Sequence, residues 1–397
     1  MKFKKIIRIT GVLALAVVMA TGCGGGAPAG GDGDDEGGFD GTIKIGINYE
    51  LSGGVATYGQ ASLDGITLAI EEVNAAGGVN GKELVLVTMD NKSDDAEAYA
   101  ISTRLMTQDG VVAVLGPATS GRFKAALQAS MEYEVPGLSG SATADDVTMD
   151  ANGVKEFAFR ICFSDSFQGT TMANFASNNL SASKAFIYMD SSSDYGKGLA
   201  KNFKETFIAN GGEIVAEEAY VAGDKDFNAV LTSIKAKDHD VIFIPGYYEE
   251  AGLIINQARG MGIDAPILGA DGFDSPVLLE LAGADALNDV YFSNHYSSLD
   301  NDPMVLAFID SFNDMYGQDP NAFHALGYDM GLFIADALSR AADDSDPIAV
   351  RDAMAATSGF AGVTGTITVD ANHNAVKSVV VIELANGEQV SSEKVDP

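Results

Sequence analysis

From Thr42 onward the chain alternates between short apolar runs and stretches with apolar residues at helical spacing, and beyond residue 180 the alternation begins again. TIKIGINYE reads as a strand. GQASLDGITLAIEEVNAAGG reads as a helix, with Leu63, Ile66, Ile70 and Val73 three and four residues apart on one face. KELVLVTMD, VVAVLG and VPGLS predict further strands, with helices over about 96–106 and 122–133 between them. In the second succession KAFIYMD, EIVAEEAYV, DVIFIPG and APILGADG alternate with YGKGLAKNFKETFIANGG, a helix carrying Phe227, Val230, Leu231 and Ile234, and one further helix. Strands that are apolar throughout are covered on both faces. The pattern therefore predicts an α/β fold of two doubly wound parallel-sheet lobes.

Three segments read as crossings between these lobes. EFAFRICFSDS stands between the two successions, and VYFSNHYSS precedes three helices (Pro303–Tyr316, 323–341 and 347–356) that no strands separate. The chain closes with the strands GTITVD and KSVVVIEL, joined by the turn ANHNAV, and the last is expected to return to the second lobe. The expected division is 42–161 with 293–366 for the N-terminal lobe and 162–292 with 367–397 for the C-terminal lobe, joined by a three-strand hinge.

Ahead of these elements, Lys2, Lys4, Lys5 and Arg8 precede an apolar run from Gly11 to Ala20, the arrangement of an export signal too short to span a bilayer. The run ends in Ala20-Thr21-Gly22-Cys23, which resembles a bacterial lipobox, although that motif usually has Leu where Ala20 stands. Residues 1–22 are thus expected to be removed, with Cys23 lipidated. Residues 23–41, mostly Gly with Asp and Glu, are expected to form a flexible tether, because such a composition buries too little surface to offset its ordering entropy.

Loss of the four basic signal residues takes the formal net charge from −32 to −36. Clustered Lys and Arg are missing, which argues against nucleic acid as a partner. Cys162 is the one cysteine beyond the tether, so neither an intrachain disulfide nor a cysteine-based zinc site is expected. AAGGVNGKE fails as a phosphate loop, with Ala76 and Glu83 at positions that need Gly and a hydroxyl. GLSGS lacks the second glycine of a nucleophile elbow, and Ala375 breaks the calcium-loop pattern of DANHNA. The four histidines, His239, His295, His324 and His373, form no HExxH motif. No metal, no cofactor and no enzymatic activity are expected.

What remains are the turns after VAVLG and VPGLS, rich in Ser, Thr, Gly and Ala, at the strand ends where open α/β sheets bind ligands. Each turn is expected to run into a helix, whose free amides attract an anion, while small side chains let a carboxylate approach. Simple capping by Thr119, Ser120 or Thr143 is the other reading.

From Ile43 almost to its end the chain resembles the branched-chain amino-acid-binding family of ABC-importer receptors, which are type I periplasmic binding proteins. The resemblance is carried by IKIGINYELSGGVATYGQASLDGITLAIEEVNAAGGVNGKEL, VLGPATSG, PGLSGSATADDVT, DSSSDYGKGLAKNF, DFNAVLTSIK, GYYEEAGLIINQAR and ILGADGF. It implies that Ser120 and Thr143 bind a ligand α-carboxylate, that the carbonyl of Ser141 accepts from the α-ammonium, and that Asp271 pairs with that ammonium. It further implies that Tyr195 and Tyr247 close over the ligand from the second lobe, with Tyr58 and Phe323 as walls of the side-chain pocket. Arg122 and Phe123 depart from the family pattern and are expected to narrow or recharge that pocket, while Tyr248-Glu249-Glu250 adds acid beside the second-lobe wall, which leaves room for a ligand with a basic side chain or an amide. The implied protein is an extracytoplasmic, lipid-anchored monomer that captures an amino acid between closing lobes and docks on a membrane permease. The alternatives are a sensory or surface receptor for amino acids, amides or small aromatic acids, and a secreted hydrolase using Ser120 or Ser139, which requires a histidine within reach.

Overall fold

The computed structural model describes residues 39–397; the expected signal segment, Cys23 and most of the expected tether lie outside the described residues. The first sheet contains β1 (Thr42–Tyr49), β2 (Glu83–Asp90), β3 (Val114–Leu115) and β4 (Gly137–Ser139). After a small ribbon, β5 (Met149–Asp150) with β6 (Gly153–Val154), it is completed by β7 (Ala158–Arg160). Its order is β2-β1-β3-β4-β7, parallel throughout. Between these strands lie α1 (Ala56–Ala75), α2 (Asp95–Arg104) and α3 (Ser120–Tyr133).

The second succession begins with α4 (Asp165–Asn178) and alternates β8 (Lys184–Asp190), α5 (Asp194–Ala209), β9 (Glu213–Tyr220), α6 (Asn228–Lys235), β10 (Val241–Phe243), α7 (Tyr248–Gly260), β11 (Ile267–Gly269), α8 (Pro276–Ala282) and β12 (Val290–Asn294). The chain then supplies α9 (Pro303–Tyr316), α10 (Ala322–Arg340) and α11 (Pro347–Ala355). A separate three-stranded sheet, β13 (Phe360–Gly362), β14 (Gly365–Val369) and β15 (Ala375–Val376), precedes β16 (Val379–Ala385) and β17 (Glu388–Val395). The second sheet runs β17-β16-β12-β11-β10-β8-β9, with β16 and β17 antiparallel to their neighbours.

Apolar strands form because both faces of each sheet are covered. Ile45, Ile47, Leu115 and Leu138 in the first sheet, and Phe186, Ile187, Phe243 and Leu268 in the second, have no exposed surface. Each such side chain contributes about 1.5–3 kcal/mol by leaving water. The first sheet is backed by α1 crossing α10, the most extensive helix pairing among the described residues.

Two expectations are corrected, and one strand was not foreseen. No helix follows β4: residues 140–148 stay irregular because the guanidinium of Arg160 gathers the carbonyls of Ala142 (3.3 Å), Thr143 (2.7 Å) and Ala144 (2.9 Å), which a helix would have used internally. KSVVVIEL returns to the second sheet as expected, but it does not follow GTITVD directly. The turn after β14 leads into β15, and β16 belongs to the second sheet. The strand EQVSSEKV was missed because it is a polar edge strand, of the kind that charge protects from further pairing. The expected lobe boundaries at 292/293 and 366/367 fall inside β12 and β14. Sheet membership puts the passages at 161–164, after Asn294 and at about Lys377.

Strand order reverses between β1 and β3 in the first sheet and between β8 and β10 in the second. At such points the loops leaving adjacent strands diverge and open a crevice beyond the carboxyl ends. In this chain those ends are Glu50, the loop 116–119, Asp190 and the loop 244–247.

Candidate functional site

The two crevices share one cavity. Tyr58, Ala118, Thr119, Ser120, Ser141 and Phe323 line it with Tyr195, Tyr247, Asp271 and Gly272. Seven of the eight ligand residues expected from the sequence are therefore brought together. Thr143 is fully buried but is not part of the cavity wall, and its hydroxyl has no hydrogen-bond partner.

On the first-sheet side, β3 ends at Leu115 and turns at Gly116. This residue has φ +83, and a Cβ there would lie 2.4 Å from the carbonyl oxygen of Asn48, so glycine is required by both conformation and space. Ala118 and Thr119 follow, and α3 opens at Ser120, whose Oγ accepts the amide of Ala144 at 3.1 Å. Thr119 does not cap the helix with its side chain; its hydroxyl bonds Glu50 instead. Ser141 Oγ donates to the carbonyl of Ala118 at 2.9 Å, tying the two turns together. The first amides of α3, which have no partner within the helix, are donors beside the cavity.

On the second-sheet side, β11 ends in a single helical turn, Asp271–Phe273. The Asp271 carboxylate accepts from Tyr195 Oη at 2.7 Å, Gln168 Nε2 at 3.2 Å and His295 Nε2 at 3.2 Å. Burial pushes the Tyr195 and Tyr58 phenols well above their usual range, so both hydroxyls stay protonated as donors. Tyr195 stacks parallel on Tyr247 with centroids 5.0 Å apart, and Tyr58 stacks on Phe323 at 4.3 Å. The aromatic wall thus comes from both sides of the crevice. Gln168 also bonds Asp165 at 2.9 Å, and burial, followed by the charge of Asp271, raises the Asp165 carboxyl above the ordinary carboxylate range.

Burial pushes His295 down to about 4, so its contact with Asp271 is a neutral hydrogen bond and not an ion pair. The ring lies against Phe163 at 3.7 Å. The unfolded chain takes up this proton near 6.5 and the folded protein only near 4, so stability falls as pH drops through that window. For His295 the loss is about 2–3 kcal/mol, and buried His324, also pushed down to about 4, acts with the same sign. Asp165 works the other way, because a raised carboxyl loses stability as pH rises. In urea titrations His295→Gln is expected to lose about 2 kcal/mol less than the wild type between pH 6.5 and 4. An equal loss would place the proton uptake elsewhere.

Sequence reading missed Glu50, Gln168, Asp165 and His295. Each stands just beyond a strand's carboxyl end or in the first turns of α4, which was the available signal. Arg122 and Phe123 do not narrow the cavity as expected: the guanidinium bonds the carbonyl of Ser93 at 2.8 Å, and Phe123 is buried in the core. Glu250 is held by the amide of Gly223, away from the cavity wall. Ser139 Oγ donates to the carbonyl of Pro117, and neither it nor Ser120 bonds a histidine, so the geometry a serine hydrolase requires is not formed. Among the described residues no group of three or more His, Cys, Asp or Glu is placed to hold a metal ion, and no helix is long and apolar enough to cross a membrane.

The cavity measures about 10 Å³, close to the room of one water molecule. An amino acid enters only when the contacts across the crevice part. These include Tyr58 Oη to the carbonyl of Gly272, Tyr248 Oη to that of Gly54 at 3.1 Å, and Lys124 Nζ to Asp194 at 2.5 Å.

Comparison with known proteins gives consistent matches. The family model described as periplasmic binding protein matches residues 42–389. The leucine-, isoleucine-, valine-, threonine- and alanine-binding protein of Pseudomonas aeruginosa is 32% identical over 330 residues, 83% of this chain and 86% of that one. The crystal structure of the branched-chain amino acid transporter substrate-binding protein LivJ from Streptococcus pneumoniae, in complex with isoleucine, superposes with a TM-score of 0.85 and 44% identity, covering 90% of this chain and all of that one. The leucine-binding protein LivK from Thermotoga maritima gives a TM-score of 0.84 and 33% identity over 89% of this chain and 99% of that one.

Proposed function

Since the chain belongs to the periplasmic binding protein family, we propose that it is the substrate-binding component of an ABC importer and captures an amino acid of the branched-chain or a related kind. The observation that carries this reading is that Ser120, at the head of α3, and Asp271, beyond the second sheet, line one cavity. A zwitterion matches that pair. Its carboxylate takes the hydroxyl of Ser120 and the free amides of α3, and its ammonium takes Asp271. Charge-assisted hydrogen bonds of this kind contribute about 1.5–3 kcal/mol each. The stacked pairs Tyr58 with Phe323 and Tyr195 with Tyr247 form an apolar wall suited to an uncharged side chain. Thr143 lies outside the cavity wall, one residue before Ala144, whose amide Ser120 Oγ accepts, so its part at the carboxylate end requires the wall to rearrange as the ligand seats.

In the mechanism, binding is coupled to closure. The ligand contacts both lobes, so it favours the closed arrangement by as much as it binds that arrangement better. The three passages between the sheets act as the hinge. Lipidation at Cys23 would hold the receptor at the membrane, and the closed form would dock on the permease.

Calorimetric titration of the chain from residue 24 onward tests the reading. Leucine, isoleucine or valine is expected to bind with one site per chain and to raise Tm. A concentration of 100 times Kd corresponds to about 2.7 kcal/mol of added stability. If only compounds lacking an α-ammonium bind, the reading fails.

A further inference from the structure

The reversal point of the first sheet holds a side chain of the protein's own. Glu50 follows β1 directly and has no exposed surface. Its Oε2 accepts the amide of Ala118 at 2.9 Å; its Oε1 accepts the amide of Thr119 at 3.1 Å and the Thr119 hydroxyl at 2.7 Å. In all three bonds the oxygens of Glu50 are the acceptors. Ala118 and Thr119 line the cavity, and Ser120 is the next residue. Amides at a strand end of this kind are the groups that receive an anionic ligand in open α/β sheets. In this chain the first two are already taken by an internal carboxylate. The cavity wall carries no Lys or Arg to balance a second ligand carboxylate, and Asp271 stands on its other side.

We infer that Glu50 is a positioning and specificity-determining residue: it sets the Ala118–Ser120 loop so that a single carboxylate fits, at Ser120, and it rejects ligands with an acidic side chain. The inference rests on the amino-acid reading above and narrows it to α-amino acids carrying one carboxylate. A ligand carboxylate directed at Ala118 or Thr119 finds their amides occupied and meets a like charge, an arrangement that disfavours binding strongly.

Calorimetry with L-leucine and L-glutamate on the chain from residue 24 onward tests it. The wild type is expected to bind leucine and to discriminate against glutamate. Glu50→Gln keeps the shape and removes the charge, and it is expected to shrink the ratio of glutamate to leucine dissociation constants by about tenfold or more. Thr119→Val leaves the charge and removes one of the three bonds. It is expected to weaken both ligands alike, with the ratio moving by less than about threefold. A purely structural role for Glu50 would lower both affinities and leave the ratio fixed, and that result overturns the inference. Glutamate binding as tightly as leucine to the wild type overturns it without any variant. If the wild type binds neither ligand, the amino-acid reading fails and the inference fails with it.

Discussion

Asp271→Asn is expected to weaken binding of leucine by two to three orders of magnitude while leaving the weak binding of its deaminated analogue, 4-methylpentanoate, within about threefold. The reasoning starts from burial. Asp271 is 3% exposed and is held by Tyr195, Gln168 and His295, so its position is fixed before any ligand arrives. Removing one partner from a buried charge pair costs about 3–5 kcal/mol, because the other charge is left desolvated and unpaired. The asparagine keeps one carbonyl oxygen for Tyr195, so the fold has little reason to change. The analogue has no ammonium and should not register the substitution. Parallel losses for both ligands would mean that Asp271 acts by holding the site together and not by meeting the ammonium.

Gly65→Ala is expected to lower the first thermal transition by about 8 °C or more and to weaken ligand binding at the same time. In the crossing of α1 with α10, a Cβ at Gly65 would lie 2.0 Å from the carbonyl oxygen of His324 and 2.7 Å from the amide of Tyr328. Backbone atoms cannot swing aside as a flexible side chain can, so the helices must separate. Overpacking of this kind costs about 1–3 kcal/mol and occasionally more, with backbone on backbone at the upper end. At roughly 2–4 °C per kcal/mol for a large domain the shift follows. The site is affected because Phe323, stacked on Tyr58, is in the first turn of α10. Gly260→Ala is the control. It closes α7 with nothing within 4 Å of the added carbon, and stability should hold or rise slightly. Equal behaviour of the two variants would show that the α1–α10 contact is looser than its geometry indicates.

Much of the fold is legible in the residues because apolar spacing is a local property. Leu63, Ile66 and Ile70 announce α1, and the helix expected at Pro303–Tyr316 is α9 to the residue. The missed elements are those whose local pattern resembles something else. The turn after β4 has the same small hydroxylated residues as the turn after β3, yet only the latter enters a helix, since only the former faces the guanidinium of Arg160. Strand β17 is polar because it lies at an edge, and polarity alone reads as loop. In the site, Ser120, Tyr195 and Asp271 were legible from their motifs. Glu50 and His295 were not, because a single buried polar residue gains its meaning from partners such as Thr119 and Asp271, far away along the chain.

The sequence by itself determined the number and kind of the layers: two apolar, parallel-strand successions, each with helices between its strands, and small hydroxylated turns at the strand ends. Those features follow from side-chain periodicity and turn chemistry, which act over a few residues. Only the tertiary structure decided that the ends of β3 and β11 open on the same cavity, that Glu50 consumes the amides of Ala118 and Thr119, and that Gly65 sits against the backbone of α10. Such juxtapositions depend on sheet order, on the three passages between the sheets and on helix crossing distances. These are set by the packing of the whole chain and leave no periodic trace in any one segment.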